Sequence, residues 1–125
     1  MNINELVKAA HANAIDKGWY EEPRSFGDKI ALIHSEVSEA LEDHRNGNNP
    51  QTVWYEIKDT DGQIIKSNLL ESEKWKPCGI PSELADIVIR VADMCGYYGI
   101  DLEKAISEKM AYNATRPHRH GGKKL

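Results

Sequence analysis

Two pairs of acidic residues stand out because each lies in a stretch whose apolar residues recur at helical intervals. Glu36 and Glu39 lie in EVSEALED, and Glu83 and Asp86 lie in SELADIVIRVADMCGYYG. Side chains three positions apart share one side of an α-helix. Two such helices packed antiparallel would bring four carboxylates together, and a divalent cation would relieve their mutual repulsion. For EVSE alone, a solvated acidic face is the alternative interpretation.

The stretch around the second pair is apolar apart from a stripe of charge. At 100° per residue the charged side chains fall within about 80° of one another, and they are Glu83, Asp86, Arg90 and Asp93. Charges on an otherwise buried helix are costly unless they are paired or bind a metal. The stripe is therefore expected to face either protein partners, including an ion pair between Arg90 and the acidic residues of its own helix, or a bound cation.

Oxygen ligands alone favour a hard cation over zinc. Neither Cys78 nor Cys95 lies in a CxxC pair or in a cluster of metal-binding residues. The predicted metal is therefore Mg²⁺, with Mn²⁺ as the alternative.

Four predicted helices position these residues. Their apolar side chains recur every three to four positions and their ends carry capping or breaking residues. The first helix is predicted from about Asn4 to Lys17, before Gly18, and the second from Ser25 or Phe26 to about Arg45. The third is predicted to start after Pro81 with Ser82 as its N-cap and to end near Gly96 or Gly99. The fourth is predicted from Asp101 to about Thr115.

The segment between the second and third helices has a different amino-acid composition. TVWYEIKDTDGQIIKS is rich in β-branched and aromatic residues around Asp61-Gly62, which predicts a β-hairpin at about residues 50–75. The predicted fold class is therefore all-α: a four-helix bundle-like single domain over residues 1–125, with a small inserted β-hairpin.

Taken together, LIHSEVSEALEDHRNG and GIPSELADIVIRVADMCGYYGIDLEKAISEKMAYNATRPHRHGGK resemble the MazG-like all-α nucleoside triphosphate pyrophosphohydrolases. The shared motif is ExxE followed by ExxD, and the resemblance covers about residues 19–45 and 79–123. The gap between the two pairs is longer than the compact family pattern, because residues 46–78 hold the predicted hairpin. The resemblance implies a helical dimer or tetramer that depends on Mg²⁺. It also implies cleavage of an NTP or dNTP to the monophosphate and pyrophosphate.

That reaction needs cations on the polyphosphate, a positioned water and positive groups near the leaving pyrophosphate. Glu39, Glu83 and Asp86 are the expected metal ligands. Glu36, which borders the apolar face most closely, is expected to activate the water, because desolvation favours a base of useful strength. Its alternative role is that of a fourth metal ligand.

Lys109, Asn113 and Arg116 are spaced to share one side of the fourth helix and lie in the segment that resembles the family. They are expected to bind phosphates, with a solvated basic helix end as the alternative. The tail from His118 to Leu125 is expected to fold over the phosphates. Trp19 is predicted either to stack on the base of the substrate or to belong to the core.

The composition of the chain argues against nucleic acid and membrane as partners. The formal net charge is −4 and no nucleic-acid motif occurs, so nucleic acid is not an expected partner. No stretch reaches the roughly 20 apolar residues of a membrane span, and the expected location is the cytoplasm.

The broad apolar surface of the third helix predicts a homo-oligomer. The alternative function is a non-catalytic helical oligomer that binds nucleotides or a protein partner.

Overall fold

The computed structural model describes residues 1–119 and residue 124. The elements in chain order are α1 (Ile3–Asp16), α2 (Phe26–Arg45), β1 (Trp54–Lys58), β2 (Ile64–Ser67), β3 (Lys76–Cys78), α3 (Ile80–Tyr98) and α4 (Leu102–Thr115). The chain is therefore mostly helical with a small sheet, rather than purely helical. Within the described part of the chain, no helix combines the length and the apolar character needed to cross a membrane.

The chain divides into two compact units. The first consists of residues 1–21 and 92–125, and the second consists of Glu22–Val91. Helix α3 contributes its N-terminal part to the second unit and its C-terminal part to the first.

Local sequence determines where three of the helices begin. Asn2 caps α1 and Ser25 caps α2, and each forms a capping box with the acidic residue three positions later. Asp101 caps α4, as predicted. At the other end of α3, Gly99 follows the last residue with φ of 66°, a left-handed conformation that glycine adopts at low cost.

The start of α3 differs from the prediction. The helix begins at Ile80, so Ser82 is not its N-cap. The carbonyl of Gly79 accepts the backbone N–H groups of Ser82 and Glu83, at 3.0 and 3.1 Å. Pro81 falls in the first turn, where its missing N–H removes no helical hydrogen bond. Ser82 as N-cap would place the first helical residue at Glu83, so the helix starts three residues earlier than predicted.

Gly79 also joins the sheet to this helix. Its φ is 108°, and a Cβ at this position would overlap the Thr52 carbonyl oxygen. Only glycine permits this close approach of the two backbones without strain.

The three strands form an antiparallel sheet in the order β2-β1-β3. The predicted hairpin corresponds to β1 and β2, and Gly62 lies in the connecting turn with φ of 80°. Strand β3 extends beyond the predicted insertion and was not expected. It has only three residues and includes Pro77, which has no N–H to donate and is tolerated because the strand lies at the sheet edge.

In the first unit, α1 contacts α4, and the Asn4 side chain donates a hydrogen bond to Glu103 at 3.0 Å. The buried apolar side chains of this unit are small: Ala10, Ala14, Ala92 and Cys95. Small side chains allow helices to approach closely. A Cβ on Gly96, for example, would lie 2.6 Å from the Cβ of His11.

Asp93, the last charge of the stripe, belongs to a polar cluster in this unit. Its Oδ1 lies 2.9 Å from His11 Nδ1 and accepts the hydroxyl hydrogen of Tyr20, also at 2.9 Å. Tyr20 in turn stacks on Tyr97, with 4.9 Å between ring centroids. Burial and the bond to Asp93 raise the pKa of Tyr20, so its phenol stays neutral and remains a donor. Asp93 thus faces protein partners, one of the two outcomes that the stripe predicts.

Candidate metal centre

Three carboxylates from two helices converge in the second unit. Glu36 and Glu39 on α2 and Glu83 on α3 each place an oxygen so that all three oxygens lie within 4.8 Å of one another. Glu36 is buried at 7% exposure, Glu83 is half-buried and Glu39 is exposed. The structure therefore brings together three of the four acidic residues that the sequence singles out.

Asp86 lies about one turn further along α3, outside this trio, and is exposed as a whole residue. Its carboxyl group still senses the cluster. Partial desolvation and then the charge of Glu36 raise the pKa of Asp86, whereas the charge of Arg90 lowers it. Asp86 therefore lies close enough to add to the negative potential of the cluster.

The surroundings of Glu83 disfavour the charged form of its carboxyl group. Burial, a hydrogen bond with Glu39 and the charges of Glu39 and Asp86 raise the pKa of Glu83 to about 7. Its Oε2 is shielded from solvent and has no hydrogen-bond partner among the described residues. A buried carboxylate oxygen without a donor is costly. A hard cation bound to this oxygen would remove that cost.

Arg90 forms an ion pair with a carboxylate of α2. Its Nε donates to Glu36 Oε1 at 2.8 Å, across from α3 to α2. Pairing within α3 was one alternative from the sequence. The pairing across helices joins residues 54 positions apart, so no local pattern reveals it.

Lys76 on β3 is a second cation that sequence reasoning missed. Its charge lowers the pKa of Asp86, which places it within electrostatic range of the cluster. Its only sequence signal is its position seven residues before Glu83 and ten before Asp86.

The predicted substrate-binding residues lie in the first unit. On α4, the charged groups of Lys109 and Arg116 lie 5.5 and 5.7 Å from the centre of the Tyr112 ring. Asn113 is exposed on the same helix, and Trp19 is exposed in the connector after α1. Because the acidic residues belong to the second unit, a joint site stays a prediction. The predicted phosphate-covering tail falls mostly on residues 120–123 and 125, which lie outside the described residues.

Comparison of the chain with protein-family models, with curated proteins and with solved structures finds no match.

Proposed function

We propose that the protein is a Mg²⁺-dependent nucleoside triphosphate pyrophosphohydrolase of the MazG-like type, which cleaves an NTP or dNTP to the monophosphate and pyrophosphate. The observation that carries the proposal is that one oxygen from each of Glu36, Glu39 and Glu83 lies within 4.8 Å of the others, and that Glu83 Oε2 is buried without a hydrogen-bond partner among the described residues. Three carboxylates at this spacing repel one another, and either a proton on Glu83, whose pKa is raised to about 7, or a bound cation relieves the repulsion. An all-oxygen donor set fits Mg²⁺, with Mn²⁺ as a substitute.

Glu39 and Glu83, together with Asp86, would hold the cation. A bound Mg²⁺ would screen the charge of the polyphosphate and polarise the phosphoryl group under attack. The acidic side chains would fill only part of the coordination shell of the cation, which would leave positions for phosphate oxygens. Lys76 and Arg90 border the cluster and offset its negative potential for an anionic substrate.

Glu36 is the proposed base. Arg90 donates to its Oε1 at 2.8 Å, and the carboxylate of Glu36 is the proposed acceptor of a proton from water. The water oxygen forms a bond to the α-phosphorus, and the bond from that phosphorus to the bridging oxygen breaks. Pyrophosphate leaves with the bonding electron pair, and the proton moves to Glu36. A fourth metal ligand remains the alternative role of Glu36.

The substrate and the assembly complete the proposal. Lys109, Asn113 and Arg116 are the proposed phosphate-binding residues, and Trp19 is the proposed base-stacking residue. A four-helix bundle-like arrangement and a homodimer or homotetramer belong to the same proposal. Support for assembly comes from apolar side chains that stay exposed at i, i+4 spacing: Val37 and Leu41 on α2, and Leu84 and Val88 on α3.

The decisive experiment measures pyrophosphate and monophosphate release from a panel of NTPs and dNTPs, with and without Mg²⁺. Wild-type protein should release both products in equal amounts, only with the metal. Glu39→Gln and Asp86→Asn should abolish turnover while circular dichroism stays unchanged, because each removes a charge but little volume. Glu42→Gln is the matched control, since Glu42 is an exposed carboxylate on the same helix.

Two results would contradict the proposal. One is wild-type turnover in purified Asp86→Asn. The other is nucleotide binding without product release from any member of the panel, which would support the non-catalytic oligomer instead.

A further inference from the structure

A cleft of about 370 Å³ opens in the second unit, between the C-terminal end of α2 and one face of the sheet. Its lining is polar and mixed in charge: Asp43, Asn46, Asn48, Trp54 and Lys66. The volume lies at the lower end of the roughly 300–1,000 Å³ typical of small-molecule sites.

The helical wall of the cleft continues the metal centre. Asp43 follows Glu39 by four residues and Glu36 by seven, so it lies on the same side of α2. Four residues correspond to about 6 Å along a helix axis. Asn48 donates from its side-chain Nδ2 and from its backbone N–H to the Asp43 carbonyl, both at 3.1 Å. These bonds fix the turn after α2, while the Asn48 Oδ1 is an acceptor.

The sheet wall presents an indole ring and an ammonium group on one face. Glu56 pairs directly with Lys66 across the strands, and Trp54 lies two residues before Glu56, so all three side chains share that face. Trp54 Nε1 donates to Glu56 Oε2 at 2.7 Å. The ring is also held against Gly79, where an added Cβ would lie 3.2 Å from Trp54 Cζ3. The indole is thus held in place beside the residue that precedes α3.

Electrostatics independently places this wall near the metal centre. Burial and then the charge of Glu56 raise the pKa of the Cys78 thiol, and Glu83 adds a smaller effect of the same sign. Cys78 pairs with Trp54 in the sheet. Glu83 therefore lies within electrostatic range of the end of the sheet that carries the indole.

These groups match the chemistry of one kind of ligand. An indole stacks on planar rings, and such stacking tolerates different bases. The amides donate and accept, the carboxylate accepts and the lysine donates, which together can read the edge of a heterocycle. A single carboxylate among the five residues is a poor cation site.

We propose that this cleft binds the nucleobase of the nucleotide whose phosphates a cation at the carboxylate cluster would bind. The inference rests on the proposed function, because the cleft acquires its role from the adjoining phosphate site. It assigns base selection to Asn46, Asn48, Trp54 and Lys66, so that Trp54 takes the base-stacking role proposed above for Trp19, and it gives the inserted sheet a role in recognition.

The test measures binding of the four α,β-methylene nucleoside triphosphates and of tripolyphosphate, all with Mg²⁺, by calorimetry. Lys66→Gln and Asn46→Ala should each change the ratio of affinities between bases by about fivefold, the worth of one hydrogen bond. Trp54→Ala should weaken every nucleotide about tenfold or more through lost stacking. Tripolyphosphate, which has no base, should bind all variants equally. Lys58→Gln is the control, because Lys58 lies in the same sheet but does not line the cleft.

A second arm tests the cleft without phosphate or metal. The four free nucleosides should shift the NMR signal of the Trp54 indole N–H, identified by its loss in Trp54→Phe. If tripolyphosphate binds but base preference is unchanged in Lys66→Gln and Asn46→Ala, and nucleosides shift nothing, the inference fails and the proposed function stands. If no analogue and no tripolyphosphate binds with Mg²⁺, the proposed function fails. Nucleoside shifts would then still support the cleft as a base site.

Discussion

The contribution of Glu83 to the stability of the folded protein should depend on whether a cation is bound. Its buried charge is unfavourable alone and favourable as a metal ligand. Glu83→Gln should therefore raise the melting temperature of the metal-free protein above pH 7 and remove the stabilisation by Mg²⁺. Thermal melts with EDTA and with Mg²⁺ measure both effects, and Glu42→Gln should behave as wild type. An equal rise in melting temperature with Mg²⁺ in Glu83→Gln would refute Glu83 as a ligand.

The same residue predicts a pH dependence. The pKa of Glu83 is about 7 in the folded protein, above its ordinary value of 4.5, so the folded state binds this proton more tightly. The resulting stabilisation is fully present below the ordinary pKa and is lost as the pH rises through about 7. Urea unfolding of the metal-free protein from about pH 5, just above the ordinary pKa, to about pH 8, one unit above the folded value, should show falling stability. In Glu83→Gln this part of the decline should disappear.

Arg90 provides a third residue-scale prediction. Arg90→Met leaves the buried carboxylate of Glu36 without its guanidinium partner, which should lower the free energy of unfolding by about 3 kcal/mol. Arg45→Met, which removes an exposed partner of Glu42, should cost less than about 1 kcal/mol. Denaturant titrations of both variants make the comparison. Equal losses would mean that burial adds nothing to the Glu36–Arg90 pair.

At the scale of elements, Gly79 decides how the sheet meets α3. Gly79→Ala forces a side chain onto a left-handed backbone and into the Thr52 carbonyl. Gly47→Ala has a similar φ of 86° but meets nothing within 4 Å. Gly47→Ala should cost about 1 kcal/mol, from backbone strain alone. Gly79→Ala should cost at least twice that and should shift the Trp54 indole signal. Equal costs in urea unfolding would show that the close approach is easily relieved.

Elements whose ends depend on neighbouring residues could be predicted from the sequence. Asn2, Ser25 and Asp101 cap helices through hydrogen bonds that span three residues, so their signals are local. The predicted start of α3 at Ser82 was wrong, because serine is a common N-cap residue but here lies inside the helix. The actual start depends on the Gly79 carbonyl and on contact between Gly79 and Thr52, 27 positions earlier in the chain.

The candidate site divides in the same way. The helical spacing of Glu36, Glu39 and Glu83 follows from periodicity, and so does their placement on facing sides of two helices. The partner of Glu36 does not, because Arg90 lies in another helix. Lys76 escaped notice because a three-residue strand with a central proline has almost no propensity signal.

For the molecule as a whole, exposed apolar side chains on α3 predict self-association. Val88 is 53% exposed and lies one turn from Leu84, which is also exposed. Val88→Glu should convert a dimer or tetramer into a monomer, because a charge cannot be buried in an apolar interface. Ser107→Glu adds the same charge at an exposed position on α4 and should leave the oligomer intact. Light scattering at micromolar concentration reports the masses, and a monomeric wild-type protein would contradict the prediction.

The two outer strands of the small sheet differ in their capacity to recruit another β-strand. At β3 the proline ring removes a backbone donor, so a passing extended chain finds an interrupted template there. At β2 the residues Ile64 and Ile65 are exposed beside a single lysine, Lys66. Fibrillar or amorphous aggregation of concentrated protein should therefore begin at β2. A lysine at position 65 would make the protein easier to concentrate and store.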